Sequence, residues 1–164
     1  MTQITPTLHL LCGKIASGKS TLAKELGEAE ATVIISEDHW LAALYPEEIV
    51  SLSDMVCYSA RLRNIMGIHV ASLLNAGVSV VLDFPANTVA NRKWMGDIIR
   101  QTDAAHKLHV LDVPDEVCKA RLHARNRDGE HPFKATEEQY LQISQYFVPP
   151  SAEEGFEIVL HSLK

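Results

Sequence analysis

The chain has 164 residues, 46% of them hydrophobic and 22% charged, the balance of an ordinary globular protein able to bury one core as a single domain. Its formal net charge of −6 argues against a nonspecific nucleic-acid binder, which carries basic excess. No apolar run reaches the ~20 residues that span a bilayer, and the N-terminus lacks a signal-peptide pattern, so a soluble cytoplasmic protein with no membrane partner is expected.

Leu8, Leu10, Leu11 and Cys12 form a short apolar run suited to a buried parallel strand. Gly13 to Ser20 then fills the template G-x-x-x-x-G-K-[ST] at every fixed position, the signature of a phosphate-binding loop. Gly13 and Gly18 permit backbone dihedrals that a Cβ would penalise, so the chain can wrap an anion. The inward-facing amides are assigned to Ile15, Ala16, Ser17, Gly18, Lys19, Ser20 and Thr21. Lys19 is a point charge for the β- and γ-phosphates, and the Ser20 hydroxyl is a candidate Mg²⁺ ligand. Leu22, Ala23 and Leu26 follow at helical spacing, with Gly27 placed as a C-terminal cap. A helix here adds the positive end of its dipole to the same anion site.

Thr32 to Ile35 reads as the second strand, ending in Ser36-Glu37-Asp38. Ligands of open α/β sheets bind beyond the carboxyl ends of strands. A carboxylate there can take the proton of an attacking hydroxyl, a role given to Asp38. The competing reading is that Ser36 or Asp38 caps the helix carrying Trp40, Leu41 and Leu44.

Asp54 is placed as the cap of a long helix ending near Asn75. Its apolar stripe is read as Met55, Tyr58, Leu62, Ile65, Met66, His69 and Leu73. Gly77 closes that helix. Val78 to Leu82 is a third strand ending in Asp83, a carboxylate that can orient the Mg²⁺ shell or serve as a second base. Asn87 or Thr88 can cap the next helix, whose Arg92 points toward the strand-end crevice or to solvent. Met95, Ile98 and Ile99 form its inner side, with an end near Asp103.

Leu108, Val110, Leu111 and Val113 make the fourth strand. Pro114, Asp115 and Glu116 suit the first turn of a helix. On it, Arg121 and Arg125 share a face, and Arg127 follows. With the polar segment Asp128 to Phe133 they suggest a mobile lid, about 121–140, bringing cationic charge over transferring phosphates. A helix from Thr136 carries Tyr140, Leu141, Ile143 and Phe147 and stops at Pro149-Pro150. Phe156, Ile158 and Leu160 alternate as a last strand. Three separated cysteines without C-x-x-C read as reduced thiols, and the eight histidines show no metal-ligand spacing. Strand–helix alternation throughout implies an α/β fold with a parallel sheet and helices on both faces.

Over nearly its whole length the chain resembles the small P-loop kinases related to polynucleotide kinase, zeta toxin, chloramphenicol phosphotransferase and gluconate kinase. The likeness rests on Gly13 to Ser20, Ser36-Glu37-Asp38, the strand ending in Asp83, and Arg121-Leu122-His123-Ala124-Arg125. It implies a three-layer α/β/α fold, a five-stranded parallel sheet of order 2-3-1-4-5, and a small helical lid. It also implies ATP and Mg²⁺ as cofactors, Asp38 as the base, and Arg121, Arg125 and Arg127 as lid cations. Two features depart from the pattern: no arginine follows Asp38 within His39 to Leu44, and Asp83-Phe84-Pro85-Ala86-Asn87-Thr88 differs from the Asp-x-Thr-Asn of polynucleotide kinases. The expectation is an ATP-dependent phosphotransferase acting on a hydroxyl of a small molecule. A polynucleotide 5′-hydroxyl kinase and a nucleotide-dependent switch are the alternatives. Acceptor, ATP over GTP, and oligomeric state are not encoded in any motif.

Overall fold

The computed structural model describes residues 4–129 and 134–162. Five strands form one sheet: β1 (Thr7–Cys12), β2 (Thr32–Ser36), β3 (Ser79–Pro85), β4 (Ala105–Asp112) and β5 (Ile158–Ser162). Every pairing is parallel and the order is β2-β3-β1-β4-β5. Six helices connect them: α1 (Lys19–Gly27), α2 (Glu37–Leu44), α3 (Leu52–Asn75), α4 (Val89–Arg100), α5 (Asp115–Asp128) and α6 (Glu137–Ser144). The order and the parallel pairing agree with those implied by the resemblance.

Side-chain alternation along β1 divides the two faces. Leu8, Leu10 and Cys12 enter the main core with Met66, Val70, Leu74, Met95 and Ile98 of α3 and α4. Leu11 packs oppositely with Val81 and Ala23, under Leu22 and Leu26 of α1. Central β1 and β3 therefore bury apolar residues on both sides, as a covered parallel sheet requires. Among the described residues no helix is long and apolar enough to cross a membrane.

Several local expectations shift. Ser51, not Asp54, is the N-cap of α3; Asp54 is the reciprocal partner in a capping box. The buried stripe of α3 runs through Ser59, Leu62, Met66, Val70, Ala71 and Leu74, while Ile65 is 59% exposed and His69 is also exposed. Gly27 is the last helical residue, not the cap; a Cβ there would collide with Ile34, so it serves helix–strand packing. Thr88, rather than Asn87, caps α4 by accepting from Asn91 N. Helix α6 stops at Ser144, short of Phe147. Val148 beyond it donates to Asn87 O and accepts from Arg92, bonds that a continuing helix would forfeit.

Arg92 is neither solvated nor in the crevice. It is 1% exposed, and its Nε donates to both carboxylate oxygens of Glu154 at 3.1 and 3.0 Å. One terminal nitrogen donates to Ala86 O and Val148 O at 2.9 and 2.8 Å. The residue fastens the C-terminal segment to the start of α4. On the α1 side of the sheet, His9 Nδ1 lies 3.0 Å from His109 Nε2, and His109 Nδ1 lies 2.9 Å from His161 Nε2. Burial, and then the neighbouring rings and Lys107, push His109 down to about 4.

Candidate functional site

The loop from Gly13 to Ser20 joins β1 to α1 at the carboxyl edge of the sheet. Ala16 and Gly18 both have positive φ, 62° and 103°. Alternating backbone hands of this kind turn successive amides into one concavity, an anion nest. Glycine at 13 is required by space: an added Cβ would strike the Ser17 hydroxyl and lie 3.2 Å from Leu111 Cβ. The first amides of α1, beginning at Lys19 and Ser20, have no partner within the helix and aim at the nest. Lys19 Nζ donates to Gly13 O at 2.5 Å and Lys14 O at 2.9 Å, which holds the ammonium across the loop. Burial pushes the Lys19 ammonium below its ordinary value, and the charges of Asp83 and Asp38 oppose that shift.

Asn87 anchors this loop. Gly13 N donates to its Oδ1 at 2.9 Å and its Nδ2 donates back to Gly13 O at 2.8 Å. Sequence reasoning saw Asn87 only as a possible helix cap. Its true role depends on a partner 74 residues away, and no local pattern signals that.

The acidic residues converge by strand register. Ser36 pairs with Asp83 across β2 and β3, so Glu37 and Asp38, the next two residues, sit beside Asp83. Strand β3 continues to Pro85, and Asp83 is thus held within a strand. Ser20 Oγ donates to Asp83 Oδ2 at 3.2 Å. A hydroxyl and a carboxylate side by side next to a phosphate nest are hard oxygen donors of the kind Mg²⁺ takes, usually one or two from protein with the rest from phosphate and water. The described residues contain no cluster of three or more histidine, cysteine or acidic residues suited to a metal. Burial raises Asp83 above the usual carboxylate range; Lys19 pulls it back and Asp38 adds to the rise.

Ser36 caps α2 by accepting from His39 N at 3.4 Å. Asp38 is then the second residue of α2, half-buried, in electrostatic contact with Lys19 and Arg125. Glu37 is 7% exposed. Burial, then the charge of Asp38, push its carboxyl up to about 7, against the pull of Arg63 and a hydrogen bond from Ser59.

Helix α5 supplies the cations. Arg121 donates to Ser17 O at 3.3 Å. Arg125 is half-buried; burial lowers its guanidinium from the ordinary value, and Asp38 counteracts this. Arg127 is exposed and does not line the cleft, so the structure does not bring it to the other two. Of the proposed lid segment, residues 130–133 lie outside the described residues. Tyr140 of α6 donates to Asp115 at 2.6 Å, and Lys14 reaches the same oxygen at 2.9 Å. That triad ties α6, α5 and the loop together.

Lys19, Ser20, Glu37, Asp38, Asp83, Asn87, Arg121 and Arg125 line one cleft of about 1350 Å³. Ser17 Oγ, Glu37 Oε2, Arg125 Nε and Ser144 Oγ are buried polar atoms without a hydrogen-bond partner, and all four residues line this cleft.

A family model described as an AAA domain matches residues 8–150. The chain belongs to the AAA domain family. Among curated proteins, none matches it significantly. Solved structures share its fold. A provisionally named kinase from Chloroflexus aurantiacus aligns with TM-score 0.77 and 17% identity, over 99% of this chain and 87% of that one. Kti12 from Chaetomium thermophilum, solved with ADP-AlF3, aligns with TM-score 0.69 and 14% identity over 95% and 88%. A sugar kinase from Janibacter sp. aligns with TM-score 0.63 and 16% identity over 97% and 86%. At these identities the likeness concerns the fold, and the function of this AAA-domain protein has to be argued from its own residues.

Proposed function

We propose that this AAA-domain protein is an ATP-dependent phosphotransferase whose acceptor is a hydroxyl of a small molecule. The observation that supports the reading is that a carboxylate, Asp38, and a cation, Arg125, line the same cleft as the phosphate loop, within electrostatic reach of each other. A nucleotide switch needs neither. Lys19 and the amides from Ile15 to Thr21 hold the β- and γ-phosphates. Ser20 and Asp83 would hold Mg²⁺, whose charge would offset that of the phosphates. Asp38 accepts the proton as the acceptor oxygen attacks the γ-phosphorus. The new bond is acceptor oxygen to phosphorus. The broken bond runs from phosphorus to the bridging oxygen, whose electron pair leaves with ADP. Arg125, with Arg121 fixed on the loop carbonyl of Ser17, offsets charge on the equatorial oxygens. The kinase names among the fold neighbours support this choice over simple hydrolysis. Arg127 has no part in it.

The test is transfer of labelled γ-phosphate from ATP into a pool of small hydroxyl metabolites. The wild-type chain is expected to label at least one compound. Lys19→Ala is expected to label none while still unfolding cooperatively on heating. Undiminished transfer by that variant, or no transfer by the wild type to any compound, overturns the assignment.

A further inference from the structure

Strands β1 and β3 diverge where the phosphate loop begins. Their register is even from Leu8↔Val80 to Leu10↔Leu82, then shifts so that Leu11 faces Pro85. Ala86 N still donates to Leu11 O at 2.9 Å. The contact after it is made by a side chain: the Asn87 amide accepts from Gly13 N and donates to Gly13 O. A primary amide offers the same donor and acceptor groups as a peptide. Asn87 therefore extends the ladder by one rung, onto the first residue of the loop.

A side chain can hold that rung only if its own backbone is fixed. Four successive carbonyls at this point each have a donor. Pro85 O accepts from Asn91 Nδ2 at 3.0 Å, and Ala86 O accepts from the Arg92 guanidinium at 2.9 Å. Asn87 O accepts from Val148 N at 2.9 Å, and Thr88 O from Arg92 N at 3.1 Å. The guanidinium nitrogen on Ala86 O also donates to Val148 O at 2.8 Å. Arg92 thus grips the residue before Asn87 and the residue whose amide holds Asn87. Glu154 answers the charge through Nε, a contact separate from the two carbonyl bonds.

Arg92 does not line the cleft, and its side-chain bonds go to Ala86, Val148 and Glu154, none of them in the loop. A buried ion pair is often matched or bettered in stability by apolar side chains of similar volume. Packing alone does not call for a guanidinium at this position, whereas two carbonyls to be held by one nitrogen do.

We infer that Arg92 is a positioning residue for nucleotide binding: acting through Asn87, it sets the entry of the phosphate loop and with it the affinity for ATP. This rests on the part of the proposed function that seats the triphosphate in the loop, and it does not depend on transfer to an acceptor.

The experiment measures the Kd of a fluorescent ATP analogue and the urea midpoint on the same samples of the full chain. Glu154→Gln leaves the Arg92 bonds to Ala86 O and Val148 O in place. It is expected to lower the midpoint and keep the Kd within twofold of wild type. Arg92→Met combined with Glu154→Met removes both charges, so none is left buried and unpaired and the fold is expected to survive. Its Kd is expected to rise at least fivefold. If it does not fold, Arg92→Gln takes its place under the same criterion, since Glu154, 19% exposed, can then turn to water. Added to Asn87→Ala, the two methionines are expected to weaken binding less than twofold further, because residues acting through one another are not additive. A rise below fivefold in the methionine pair, a rise above twofold in Glu154→Gln, or a further loss of twofold or more on top of Asn87→Ala overturns the inference; if that last variant does not fold, the first two comparisons decide. A wild-type chain that binds no ATP analogue overturns the nucleotide reading and the inference together. One that binds it and transfers no phosphate overturns the phosphotransferase alone.

Discussion

Asn87→Ala isolates the anchor of the phosphate loop. The side chain makes two bonds to Gly13, at 2.9 and 2.8 Å, and each contributes roughly 1 kcal/mol net. Their loss is not symmetric. Gly13 O keeps a donor in Lys19 Nζ, whereas the Gly13 amide, in a buried residue, is left without an acceptor. An orphaned buried amide costs about 1–3 kcal/mol. The expected destabilisation is therefore about 2–3 kcal/mol, and for a small protein that moves the urea midpoint by about 1 M at unchanged m. The same change loosens the loop's entry. If binding must then re-order it at a cost of about 1.4 kcal/mol, ATP affinity falls about tenfold. Urea unfolding followed by circular dichroism reads the first quantity, and titration with a fluorescent ATP analogue reads the second. A variant within about 0.5 kcal/mol of wild type, with unchanged nucleotide affinity, would refute this role for Asn87.

Three further outcomes follow from other contacts. Arg92→Leu strands Glu154 and the carbonyls of Ala86 and Val148, a broken buried pair expected to cost about 3–5 kcal/mol; a shift under about 1 kcal/mol in urea would contradict it. His109 is held near 4 in the fold against about 6.5 when unfolded, so the unfolded state binds more protons and stability falls as pH drops through that window. The expected loss is on the order of 2 kcal/mol between pH 7.5 and 5, and His109→Gln is expected to flatten the slope of denaturation midpoint against pH; an equal slope in the variant removes His109 as its source. Arg125→Ala is expected to lower the transfer rate at least a hundredfold while Arg127→Ala leaves it within twofold, and equal losses in single-turnover assays would contradict the placement of Arg127 away from the cleft.

What local spacing encodes was readable. The strand, glycine loop and helix from Leu8 to Leu26 are contiguous, and each step has a local cause, so the sequence alone locates the nest. The α/β alternation was readable for the same reason, although the sheet order came from resemblance. The misread positions are those set by distant partners. Arg92 looks like any helical arginine until Glu154 and Val148 are brought to it. Asn87 looks like a cap until β3 and β1 place it against Gly13. Glu37 and Asp38 are adjacent in sequence, yet their partners on α3, α1 and α5 give them different environments. In the α3 stripe, Leu62 and Met66 are buried as the spacing predicts, but Ile65 and His69 fit helical spacing equally well, and only the packing of α4 and the sheet selects Val70.

The most direct measurement is the single-turnover rate of γ-phosphate transfer to the best acceptor by wild type and Asp38→Asn, with ATP affinity measured on the same samples. Loss of a general base at this carboxylate is expected to slow transfer about 10²–10⁴-fold and leave the ATP Kd within threefold. A variant that transfers at the wild-type rate, or whose loss is accounted for by weaker ATP binding alone, would contradict a phosphoryl-transfer centre built on Asp38.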